Sequence, residues 1–198
     1  HLISITGQSY WGDRLEKIAY NALPATFSPD MWTHQYDQQI NQVECSRQEN
    51  PIFKTNSGES NLFGLEPNYG CCTANLSQPW PKLALSTFMR SSDGLAATVY
   101  APCSIDTSME NAMVSINLDT DYPFKDILNF KVKTDGEVDF TLWLRIPDWT
   151  ECATLEIDGQ STLIGKPGFY PLKRKWQGET CFTLRLPMKP QLIPRPNG

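Results

Sequence analysis

The sequence predicts an α+β chain, with helices in its first half and an antiparallel sheet in its second. Three observations carry this. Leu15, Ile18, Ala19, Ala22 and Leu23 recur at helical spacing, opposite Asp13, Arg14, Glu16 and Lys17. Leu76, Trp80, Leu83, Ala84, Thr87 and Phe88 recur at the same spacing within Asn75 to Met89. Beyond Asp93-Gly94 the texture changes to alternation of apolar and polar residues in short runs separated by turn residues.

Taken in chain order, Gly7 to Gly12 interrupts an opening apolar segment, which predicts a short helix end, a turn and a second helix entered at about Asp13. Pro24 is placed to stop that helix. Residues 24 to 70 are rich in Gln, Asn, Pro and Ser and read as a long, polar, partly stranded connection containing Trp32, His34 and Tyr36. After Cys71-Cys72, the regular part of the next helix is confined to residues beyond Pro79 and Pro81, because proline is tolerated in a first turn and not later. Strands are expected near 96–103, 111–119, 127–133, 137–146, 153–157 and 180–186, with turns at Thr134-Asp135-Gly136, Asp158-Gly159 and Gln177-Gly178. Together they read as a sandwich. In 138–146, Val138, Phe140, Leu142, Leu144 and Ile146 form the buried face, and Asp139, Thr141, Trp143 and Arg145 the outer one. Trp143 on that outer face needs cover from another element.

The charge balance excludes several function classes. Lys plus Arg total 17 against 22 Asp plus Glu, a net charge of −5. The longest basic run is Lys173-Arg174-Lys175, which disfavours nucleic acid and anionic membrane surfaces as partners. No apolar run approaches the ~18 residues of a membrane span, and His1 to Gly7 lacks the pattern of a signal peptide. Both ends read as cuts in something longer. The six cysteines are too sparse for a disulfide scaffold, and no phosphate loop, nucleophile elbow or His-Glu-x-x-His helix is present. Asn75-Leu76-Ser77 is a glycosylation sequon and a weak sign of secretion.

The phrase with chemical content is Tyr69-Gly70-Cys71-Cys72-Thr73-Ala74-Asn75, a cysteine pair at a helix entrance. A thiol there is biased towards thiolate, the form that attacks electrophiles and binds metals. Three readings stand: two thiols without a role, a strained vicinal disulfide, or a metal-bound or nucleophilic pair. Zinc requires about four donors. Glu44, Cys45, Glu66 and His34 are candidates that no spacing singles out.

Gly12-Asp13-Arg14-Leu15-Glu16-Lys17-Ile18-Ala19-Tyr20-Asn21-Ala22-Leu23-Pro24, His34-Gln35-Tyr36-Asp37-Gln38-Gln39, Gly70-Cys71-Cys72-Thr73-Ala74-Asn75 before Trp80-Pro81-Lys82, and Leu144-Arg145-Ile146-Pro147-Asp148-Trp149 resemble glycoside hydrolase family 127. That family's prototype is a β-L-arabinofuranosidase. The resemblance spans most of the chain and implies the last helices of an (α/α)6 barrel over residues 1–92, followed by an incomplete β-sandwich over 93–198. It implies a zinc site in which Cys71 and Cys72 are ligands and Cys71 is the nucleophile of a retaining hydrolysis, with Tyr36 near the sugar. The partner it implies is a glycan or oligosaccharide containing arabinose.

The family's Glu-x-Cys ligands and acid/base Glu correspond to positions before His1, so the implied partner of this chain is also the missing N-terminal barrel part of its parent. The chain by itself is expected to be inactive, and the parent to act outside the cell. A rival from another class is a non-catalytic carbohydrate-binding module that uses Trp143, Trp149 and Trp176, with structural cysteines.

Overall fold

The computed structural model describes all residues except 40–41, 43, 48, 51–52, 65–69 and 195–198. Tyr69 of the cysteine phrase and the candidate ligand Glu66 therefore lie outside the described residues. Two units are resolved, His1–Glu16 with Ala84–Gly198, and Lys17–Leu83.

The sheet unit begins with α1, Leu2–Thr6, which stops at Gly7. Gly7 is left-handed (φ 65°), and its N–H returns to the Ile3 carbonyl. This is the turn expected of a glycine at a helix C-terminus. Helix α2, Tyr10–Lys17, starts three residues before the predicted Asp13. Its buried positions, Gly12 and Glu16, also differ from the predicted apolar face, and Ile18 just beyond it is 57% exposed. A carboxylate occupies the buried position because its partner comes from the sheet.

Strands β1 (Phe88–Ser91), β2 (Gly94–Ala97), β3 (Cys103–Met109), β4 (Ala112–Thr120), β5 (Ile127–Ile146), β6 (Ala153–Ile157), β7 (Gln160–Ile164) and β8 (Gly168–Arg185) make one eight-stranded sheet. Its main path is β1-β2-β5-β8-β6-β7, and β3 and β4 branch from β5. Every pairing is antiparallel except β2 with β5.

The predicted breaks at Thr134-Asp135-Gly136 and Gln177-Gly178 are not turns. β5 and β8 run through them, and the register shifts between Thr134 and Val138, where Thr134 lies opposite Gly178 (φ 66°). Turn-prone residues on neighbouring strands are absorbed together in one bulge, which bends both strands without ending either. Asp158-Gly159 is a true hairpin turn, with φ 53° and 74° as a type I′ turn requires.

The even-numbered residues of β5 stay inside on both sides of the bulge. Phe130 stacks on Phe182 at 4.7 Å, Phe140 on Trp176 at 5.0 Å, and Trp176 meets Phe182 at 6.4 Å, so the two arms of the bent sheet share one aromatic core. Trp176 is 1% exposed and its indole N–H donates to the Phe140 carbonyl, which removes it from any glycan-contacting surface.

The opposite face is solvated in the first arm but not at the end of β5. Thr141 and Arg145, expected outside, are buried. Half-buried Trp143 finds its cover at the β1–β2 turn, where its indole N–H donates to Asp93 Oδ1 at 2.9 Å. That bond and the Thr141 hydroxyl hold the Asp93 carboxyl below the usual carboxylate range.

The second unit opens with a π-helical turn, Ile18–Ala22, and a last turn α3, Leu23–Ala25. Pro24 has no N–H for the carbonyl four residues back. The wider turn, in which the Leu23 N–H reaches the Ile18 carbonyl, accommodates it, so the helix passes Pro24 by one residue. Helix α4, Gly70–Leu76, holds the cysteine pair, and α5, Pro79–Ala84, carries Pro79 and Pro81 in its first turn as predicted. The helix predicted to reach Met89 ends at Ala84, where the Thr87 N–H and hydroxyl both bond the Ala84 carbonyl before β1 begins. Among the described residues no helix is long and apolar enough to cross a membrane.

Candidate functional site

Helix α4 begins at Gly70, so Cys71 and Cys72 occupy the first turn of a short helix that ends at Leu76, separate from the helix expected beyond Pro79 and Pro81. Asn75 Nδ2 donates to the Cys71 carbonyl at 2.6 Å, one turn on. Cys71 is exposed, Cys72 is half-buried, and neither is in a disulfide. Their Sγ atoms are 3.8 Å apart. Two sulfurs bound at about 2.3 Å to one tetrahedral zinc stand about 3.8 Å from each other, so the pair matches two of its corners. Among the described residues no group of three or more His, Cys, Asp or Glu side chains comes together to hold a metal. Two thiols are half the donors that a zinc site needs.

The His34 segment lies against the same turn. His34 is not in a regular strand but forms single antiparallel bridges to Phe27 and Gly64. Its ring is buried, with Nε2 2.8 Å from the Thr73 hydroxyl, next to Cys72. Two of the phrases that carry the family resemblance therefore meet at a hydrogen bond. Tyr36, two residues further, is 38% exposed. Between them Gln35 is buried, and its amide donates to the Asn61 carbonyl at 2.7 Å and to Cys45 Sγ at 2.9 Å. Gln42 donates to the same sulfur at 2.9 Å. Cys45 is thus engaged by glutamines, and Glu44 beside it is exposed.

A second concave feature belongs to the sheet unit. It is an open groove of about 660 Å³ whose polar lining includes Ser104, Asn117, Asn129, Lys131, Glu156 and Thr183, and it contains none of the predicted site residues.

Residues 94–188 match the family described as β-L-arabinofuranosidase, GH127 middle domain. These residues belong to the GH127 middle-domain family. Among solved structures, a GH127 β-L-arabinofuranosidase from Geobacillus stearothermophilus T6 matches 98% of this chain with a TM-score of 0.82 and 22% identity. A structure described as a glycoside hydrolase and another described as a GH127 β-arabinofuranosidase each match 95% of the chain with a TM-score of 0.75 and 19% identity. At these identities the likeness establishes the fold, an α+β arrangement that includes the GH127 sandwich. The chain spans 31% of the length of the first structure and 30% of the other two. A search of curated proteins finds no match.

The sequence missed Asp13, Glu16 and Arg145 as partners. Asp13 and Glu16 read as a solvated helix face and Arg145 as a solvated strand face, yet Arg145 is fully buried and paired to both carboxylates. The signal was present in a different form: all three residues lie inside phrases that carry the GH127 resemblance.

Proposed function

We propose that this chain is part of a retaining glycoside hydrolase of the β-L-arabinofuranosidase type, acting on arabinose-containing glycans with Cys71 as its nucleophile. The observation that carries the reading is the exposed Cys71 beside half-buried Cys72 in the first turn of α4, with sulfurs at the spacing one zinc imposes. The GH127 middle domain further along the same chain supports it.

Cys71 and Cys72 would hold two corners of the zinc site, and donors outside the described residues the others. The bound ion keeps thiols ionised near neutral pH. Cys71 is the more accessible of the two and is the one a sugar can approach. Its thiolate sulfur attacks the anomeric carbon as the glycosidic oxygen departs with a proton from a general acid. Water then breaks the carbon–sulfur bond and restores the thiolate. The thiol replaces the carboxylate nucleophile of ordinary retaining glycosidases. His34, bonded to Thr73, braces the turn that presents the pair, and the partly exposed Tyr36 contributes to binding the sugar.

The test uses the full-length protein. Cys71→Ala is expected to lower hydrolysis of an aryl β-L-arabinofuranoside by more than about 10³-fold with the far-UV spectrum unchanged. A slow substrate should leave one pentosyl group on the peptide that carries Cys71. Hydrolysis that survives Cys71→Ala refutes the assignment.

A further inference from the structure

The end of β5 holds one buried cation between two carboxylates. Arg145 is 0% exposed, its Nη1 pairs with Asp13 Oδ1 and its Nη2 with Glu16 Oε1, and both carboxylates come from α2. Arg145 Nε donates to the Thr98 carbonyl at 2.6 Å, and the guanidinium lies 5.2 Å from the centre of the Tyr100 ring. Glu16 is saturated with donors: Oε1 also accepts the Tyr100 N–H at 2.8 Å, and Oε2 accepts the Tyr122 hydroxyl at 2.6 Å. Asp13 has fewer. Its Oδ2 accepts the Asp148 N–H at 3.3 Å, and the exposed Asp148 carboxylate faces it from just beyond β5. The charged groups that act on Asp13 are Arg145, Asp148 and Glu16.

One cation against two ionised carboxylates leaves a net negative charge where burial is expensive. We propose that Asp13, Glu16 and Arg145 form a proton-binding latch, in which a proton from solvent completes the neutralisation of the site and fastens α2 to the end of β5. The proton goes to Asp13. Glu16 already accepts the Tyr100 N–H and the Tyr122 hydroxyl besides its pair with Arg145, and the guanidinium is kept protonated by the carboxylates around it. Asp13 has a 10% exposed side chain through which solvent protons enter. Burial, aided by Asp148 and Glu16 and opposed by Arg145, pushes the Asp13 carboxyl up to about 6 from its ordinary 3.8.

Asp13 therefore binds its proton more tightly in the closed latch than when exposed, and its contribution is fully present below pH 3.8. It is lost as pH rises through about 6. The latch is firm in mild acid and loosened at neutral pH.

Hydrogen exchange in the full-length protein tests this, read at the Tyr100 amide, which donates to Glu16, and at the amides of α2. After correction for intrinsic rates, protection is expected to fall by up to about tenfold per pH unit between pH 4 and 6 and to level off above that. Asp13→Asn keeps an acceptor for Arg145 and removes the surplus charge, so its protection should stay high and flat. Glu16→Gln leaves one carboxylate for one guanidinium and should also remove the step. A wild type without the step, or a step that persists in either variant, overturns the proposal.

Discussion

Gly12 lies in α2 against the Arg145 side chain, and its replacement by alanine sets two physical effects against each other. Alanine is the better helix former, by up to about 1 kcal/mol within a helix. A Cβ on Gly12, however, would stand 2.5 Å from Arg145 Cδ and 2.7 Å from both Arg145 Nε and the Thr98 carbonyl oxygen. The Thr98 contact is with backbone, and Arg145 is pinned by Thr98, Asp13 and Glu16, so neither neighbour can retreat cheaply. Overpacking of this kind costs about 1–3 kcal/mol, and more if Arg145 leaves its buried carboxylates. The clash wins, and Gly12→Ala should destabilise the protein by about 1–2 kcal/mol. The assay is urea denaturation with Gly165→Ala as control, since a Cβ there meets nothing within 4 Å. Gly12→Ala at or above wild-type stability, with Gly165→Ala within about 0.5 kcal/mol of wild type, would refute the close approach of α2 to Arg145.

Trp176→Ala should cost about 3–5 kcal/mol in the same assay, because it empties the stack on Phe140 and leaves the Phe140 carbonyl without its indole donor. Burial pushes the Cys103 thiol up, whereas Cys152 and Cys181 are exposed. Maleimide at mildly alkaline pH should therefore label Cys103 several-fold more slowly than either, by peptide mass spectrometry, and equal rates would contradict the burial of β3 at its start.

Local chemistry made several elements readable in the sequence. The Gly7 stop, the two prolines at the start of α5, the cysteine pair at the start of α4 and the Asp158-Gly159 hairpin each depend on the conformational preferences of a few adjacent residues. The alternation of β4 and of the two halves of β5 was readable because one face of each is buried throughout. The cysteine pair as a candidate site was readable for the same local reason.

The tertiary structure decided the choices between locally equivalent outcomes. Thr134-Asp135-Gly136 and Gln177-Gly178 suit a turn or a bulge equally well, and became a bulge because each lies across from the other on a paired strand. Glu16 and Arg145 carry the marks of solvent-facing residues, and each is buried because the other brings the compensating charge. Trp143 is covered by Asp93 from a neighbouring turn, and His34 meets Thr73 from a distant helix. A charged side chain in sequence shows only the cost of burying it. Whether that cost is offset depends on a partner that for Asp13 and Arg145 lies 132 residues away, which no local pattern can supply.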